Sequence, residues 1–192
     1  PACADPADPA GIRILIPDRA KWNTGRAPIE TWRRTDPLRY AAWFEAQCVT
    51  VHRFDEAIVS ASVTPIPPHE PAAVKAPLRR VTQLLKRRRD LDFLGDDCRP
   101  SSIMLTTLAG RHYRGQESIA DAFQAVLDGI SGQIVRARSA RIVVVNPTDE
   151  SADLAKPLSA TAYKKFVAMI DAMRADLATL RRPVKSSDRG ES

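Results

Sequence analysis

Residues 12–16, Ile-Arg-Ile-Leu-Ile, alternate and branch like a β-strand that Pro17-Asp18 closes. After Asp36 the apolar period lengthens. Leu38, Ala41, Ala42 and Phe44 recur at helical spacing behind Pro37, which a first helical turn tolerates, and Trp43 and Phe44 are expected to pack inward. A second helix is predicted over 78–90, with Leu78, Val81, Leu84 and Leu85 on one face, Arg79, Gln83 and Lys86 on the opposite one, and Arg88 close to the apolar side. Further helices are predicted over 101–113 and over 118–130, the latter opened by a Ser118/Asp121 capping box and striped by Ile119, Phe123, Val126, Leu127 and Ile130. Residues 133–145 read as extended up to Asn146-Pro147. A last helix over 159–180 carries Tyr163, Phe166, Val167, Ile170, Met173 and Leu177.

Between these elements lie a loop of Asp-Pro-Ala character over 1–10, a connector with five prolines in 64–77, and a turn over 95–100. The tail 183–192 is expected to be disordered. A lone strand needs sheet partners, and the chain offers few. Residues 1–18 therefore read as the end of a larger sheet entered midway. Their strand edge would favour self-association, and removing them should improve solubility. The expected fold class is mainly α, a helical lobe over 19–182 with one leftover strand and a short extended segment.

Composition narrows the classes. With 192 residues, 44% hydrophobic and 27% charged, the chain is globular and large enough for a core. Its apolar runs are too short for a bilayer-spanning helix. Lys and Arg exceed Asp and Glu by 29 to 23, a net charge of +6 that favours nucleotides, nucleic acid or other anions. Cys3, Cys48 and Cys98 are far apart, odd in number and form no CxxC; His52, His69 and His112 have no paired ligand spacing. No metal ligands are assigned.

Asp90-Leu91-Asp92 spells a magnesium-binding pair, but two acids at a helix end beside a glycine turn lack the strand geometry that aims both at one ion. No catalytic residue is assigned. Adjacent acids such as Asp55-Glu56 and Asp149-Glu150 read as solvated. Lys86-Arg87-Arg88-Arg89, with Arg79 and Arg80, is the densest cationic feature. It precedes Ser101-Ser102, where a helix start could meet an anion with free amides and hydroxyls. Tyr40, Trp43, Tyr113 and Tyr163 could stack bases, although aromatics at this spacing are more often core. There is no Walker loop, GxGxxG or Gly-Ser.

The segment Leu84-Leu85-Lys86-Arg87-Arg88-Arg89-Asp90, with Arg99-Pro100-Ser101-Ser102-Ile103-Met104-Leu105-Thr106-Thr107-Leu108-Ala109, resembles the bacterial CD-NTases. These are the cyclic-oligonucleotide synthases of antiphage CBASS operons, related to cyclic GMP-AMP synthase and oligoadenylate synthase. Ile16-Pro17-Asp18-Arg19, the stretch from Asp36-Pro37 to Trp43-Phe44, and Val145-Asn146-Pro147 with Glu150-Ser151-Ala152-Asp153 agree. Arg88 stands where the family usually has histidine, and Ser101 where it often has isoleucine.

The resemblance implies the C-terminal lobe of a polymerase-beta-like nucleotidyltransferase. The parent would make cyclic di- or trinucleotides from ATP and other NTPs by in-line attack on an α-phosphate, assisted by two Mg2+ (or Mn2+) ions. Pro1-Ala2 looks like the pair that follows the family's third metal-binding aspartate, so all three aspartates would lie upstream and this chain alone would be inactive. By the same resemblance Lys86 and Ser102 contact a nucleotide triphosphate. A cytoplasmic location and a CBASS regulatory partner follow as expectations. The alternative is a non-catalytic basic helical module that binds nucleic acid or a protein partner.

Overall fold

A computed structural model describes residues 3–4, 14–16, 33–48, 76–96, 99–138 and 140–182. Strands β1 (Cys3–Ala4), β2 (Ile14–Ile16) and β3 (Arg33–Thr35) form an antiparallel sheet in that order. Leu15 lies opposite Cys3 on one side and Arg34 on the other. This corrects the expectation of an unpaired strand: β2 is central, and both of its edges are taken by backbone. Its neighbours are very short, which limits the edge available to another chain. Removing residues 1–18 would take away two of the three strands, so a gain in solubility is no longer expected.

Five helices follow among the described residues: α1 (Pro37–Cys48), α2 (Pro77–Asp92), α3 (Ser102–His112), α4 (Ile119–Arg136) and α5 (Ala160–Leu180). Their starts are written in side chains. The Asp36 carboxylate accepts from the Arg39 amide at 2.8 Å, and Ser101, Ser118 and Ser159 accept from the amides of Met104, Asp121 and Ala162. Pro77, grouped by sequence with the connector, is the first residue of α2, where its missing N–H removes no helical bond. The rest of the 64–77 connector, the boundary at 18/19 and the 183–192 tail lie outside the described residues.

The core gathers Leu78, Val81 and Leu85 of α2, Met104, Leu105 and Leu108 of α3, Val126, Leu127 and Ile130 of α4, and Phe166, Ile170 and Met173 of α5 around Phe93, Ile142 and Val144. Several expected core positions face out instead: Leu38 is 67% exposed, Leu84 44% and Ile119 41%. Phe123, Tyr163 and Val167 are half-buried, while Ala122 and Met169 take the inner positions. Helix α4 also runs six residues beyond Ile130, so residues 133–136 are helical rather than extended. Only after Ala140 does the chain straighten into β4 (Val145–Asn146). This strand pairs with β5 (Asp149–Asp153) through a turn in which the Asn146 side chain accepts from the Thr148 amide and hydroxyl.

Helix α3 is the hub. Residues 104–110 are buried all round, packed against α1, α2 and α4. Gly110 makes the α1 contact possible: a Cβ there would lie 2.7 Å from Cη2 of Trp43. With its middle enclosed, α3 reaches the surface at its N-terminal end, between α1 and α2.

Candidate functional site

That end opens into a cavity of about 560 Å³ lined by Tyr40, Phe44 and Glu45 of α1, Arg79, Thr82, Gln83 and Lys86 of α2, and Ser102, Ile103 and Thr106 of α3, with Thr35 at its rim. Spacings of three and four put the α2 group on one flank of that helix. Lys86 sits roughly 80° around from the line of Leu78 rather than opposite it, which makes it half-buried, and Arg87 takes the far side. The two residues expected to meet a triphosphate, Lys86 and Ser102, thus line one cavity from different helices.

The two serines divide their work. Ser101 is the cap, its hydroxyl held by the Met104 amide at 3.2 Å, while its carbonyl accepts from the Leu105 amide. The amides of Ser102 and Ile103 precede the first helical bond and have no intrahelical acceptor. Ser102 leaves its hydroxyl beside the cavity, where it accepts from Nη1 of Arg89 at 2.9 Å. Among the described residues the Lys86 ammonium has no ion-pair partner. Burial, and then the neighbouring charge of Arg89, hold its pKa below the usual lysine range.

Sequence reasoning missed Arg89, read as one more surface cation. It is only 7% exposed. Its signal was positional: at eleven residues past Leu78 and four past Leu85 it falls on the buried line of α2. The guanidinium also donates to the Pro100 carbonyl at 3.1 Å and, through Nε and Nη2, to one oxygen of Asp90 at 3.0 and 2.7 Å. Arg79, at the cavity mouth, pairs with Glu45 at 2.5 Å. Tyr40 forms a wall: its hydroxyl lies 2.9 Å from the Thr107 hydroxyl and donates to the Ile103 carbonyl, and burial raises its pKa, keeping it a neutral donor.

The other candidates are occupied elsewhere. Asp90 faces Arg89 and Arg99, whereas Asp92 holds Arg88, which also reaches Asp176. The two carboxylates therefore do not converge on one point. Among the described residues no group of three or more His, Cys, Asp or Glu could hold a metal ion, so these residues do not fit the magnesium ions implied by the resemblance. Trp43 packs over Gly110, the Tyr113 hydroxyl donates to the Gln116 carbonyl, and the Tyr163 hydroxyl accepts from the Ile142 amide. None of the described helices is long and apolar enough to cross a membrane.

No protein-family model matches the chain. It is 32% identical over 161 residues to a c-di-GMP synthase of Roseivirga ehrenbergii, covering 80% of this chain and 41% of that protein. Its fold is similar to that of the Bradyrhizobium diazoefficiens CD-NTase CdnG, solved in complex with GTP, with a TM-score of 0.60 at 20% identity over 78% of this chain and 50% of that one. The chain thus spans half or less of the length of these two relatives.

Proposed function

The chain is a relative of the CD-NTase cyclic-dinucleotide synthases, and from that kinship we propose that it forms the helical C-terminal part of a nucleotidyltransferase, holding the triphosphate of a bound NTP through Lys86 and Ser102. One observation carries the assignment: these two residues, sixteen positions apart, come together on a single cavity in a lobe whose solved relative is a GTP complex. A mobile ammonium and a helix-start hydroxyl suit phosphate oxygens, and the free amides of the first α3 turn add positive potential.

Similarity to a c-di-GMP synthase supports a parent enzyme that makes cyclic nucleotides from NTPs; its use of ATP, cyclic di- or trinucleotide products, a cytoplasmic location and a role in CBASS-type antiphage defence with a CBASS regulatory protein as partner are proposed from the family resemblance alone. Mg2+ or Mn2+ would be held by carboxylates in the part of the relatives that this chain does not span. No catalytic residue is assigned within the chain. The rival reading, a basic module for nucleic acid, has less support because Arg88 and Arg89 spend their guanidinium groups on internal partners.

Titration of the purified protein with GTP, ATP and a long DNA duplex at two salt concentrations tests the proposal. Saturable binding of NTPs with a shallow salt dependence is expected. Tighter, salt-steep binding of the duplex without nucleotide binding would overturn it. Incubated with the four NTPs and Mg2+ or Mn2+, the chain alone should yield no cyclic product.

A further inference from the structure

Arg89 touches no solvent-facing part of the cavity, yet it grips the side chain that does. Its guanidinium is fixed from three sides, by Asp90 through two bonds, by the Pro100 carbonyl and by Ser102 Oγ at 2.9 Å. It thereby ties the last turns of α2, which carry Lys86, to the first residue of α3. A serine hydroxyl has one proton and two lone pairs. One lone pair of Ser102 is taken by Arg89, and among the described residues its proton has no acceptor.

We infer that Arg89 is a positioning residue for the triphosphate site: by donating into Ser102 Oγ it turns that hydroxyl's own proton toward the cavity, so Ser102 meets a phosphate oxygen as a donor of fixed direction. The inference rests on the triphosphate reading above. It also gives the cationic run a division of roles. Lys86 supplies contact, Arg89 supplies orientation, and Arg87 on the far face supplies neither. The same arrangement holds two like charges one helical turn apart, an arrangement that an anion between α2 and α3 relieves.

The test is a binding cycle with inorganic tripolyphosphate and GTP, read by calorimetry on the whole chain. Arg89→Lys keeps the charge but not the fork, and is expected to weaken binding about tenfold, the loss of one charge-assisted contact. Ser102→Ala should do the same, and the double variant should bind no more than about twofold worse than Ser102→Ala alone, since both remove one interaction. Wild-type affinity in Arg89→Lys, or losses that multiply in the double variant, would overturn the inference. Should Arg89→Lys fail to fold, Asp90→Asn loosens the anchor while leaving Arg89 in place, and its loss of affinity should likewise vanish when Ser102 is alanine; a loss that persists counts against the role. A pH profile separates orientation from mere support: in Arg89→Gln, half-loss of binding should move to higher pH as Lys86 loses its charged neighbour, and an unmoved profile contradicts the coupling. Wild-type protein that binds neither probe, or a Lys86→Ala variant that binds normally, overturns the triphosphate reading itself. Binding that falls in Lys86→Ala but not in Arg89→Lys overturns the role of Arg89 alone.

Discussion

At Lys86, the residue proposed to meet a phosphate, the surroundings set the charge. Half-buried and beside Arg89, it holds its proton less tightly in the folded protein than in the unfolded chain. Stability and binding therefore respond to pH with opposite signs. Through the window between the lowered and the ordinary lysine pKa the unfolded chain binds the extra proton, so the Lys86 contribution to stability rises with pH, while affinity for a polyanion falls as the ammonium is lost. Tripolyphosphate binding measured upward from neutral pH should weaken before an ordinary lysine would titrate, and Lys86→Arg should carry that loss to higher pH. His112 gives a second pH prediction. Burial, with Arg114, Arg136 and Arg111 nearby, lowers its pKa against the bond to Gln133, and its ring packs where a Cβ on Gly129 would come within 2.5 Å. Its folded pKa is depressed, so stability present at pH above the ordinary histidine value is lost as pH falls toward the folded one. The melting temperature should be lower at pH 5.5 than at 7.5, and His112→Asn should shrink that difference.

At the scale of elements, the period of the sequence revealed helices better than their faces. The α2 stripe was legible in Leu78, Val81 and Leu85. Leu84 was not, because one residue of helical rotation carries it off the buried line, and it faces an outer groove with Leu91, Ile119 and Phe123. The same rotation buried Arg89 out of an apparently solvated basic run. Helix α4 outlasted its expected end because tertiary contacts outweigh the roughly 1 kcal/mol cost of Gly132: Ile134 packs on the core, and Gln133 bonds both His112 and the Val143 carbonyl. Conversely, nothing in the local pattern announced the close α1–α3 contact at Gly110. Gly110→Ala should lower stability by about 1–3 kcal/mol, because Trp43 must move off α3. Chemical denaturation checks this, and since Trp43 is not among the residues that line the cavity, tripolyphosphate affinity of the folded variant should change little.

For the whole molecule, the three-stranded sheet was the least legible feature, since strands of two and three residues carry almost no alternation for a sequence to display. Its existence reverses one expectation. Deleting residues 1–18 leaves β3 without a partner and should lower the melting temperature and raise light scattering. Lys86 and Ser102 were singled out only through family resemblance; composition and spacing gave a basic helix and a serine cap, and the fold brought them to one cavity with Arg79 and Tyr40, beside the buried Arg89 that the sequence pattern had left on the surface. A triphosphate site and a diffuse field of positive charge part ways in the GTP affinities of Lys86→Ala and Arg87→Ala, two losses of equal charge on neighbouring residues. Lys86→Ala should lose roughly ten- to a hundredfold, about 1.5–3 kcal/mol, with Arg87→Ala near wild type and both melting temperatures nearly unchanged. Equal losses in the two variants, or a large fall in melting temperature for Lys86→Ala, would contradict the triphosphate site.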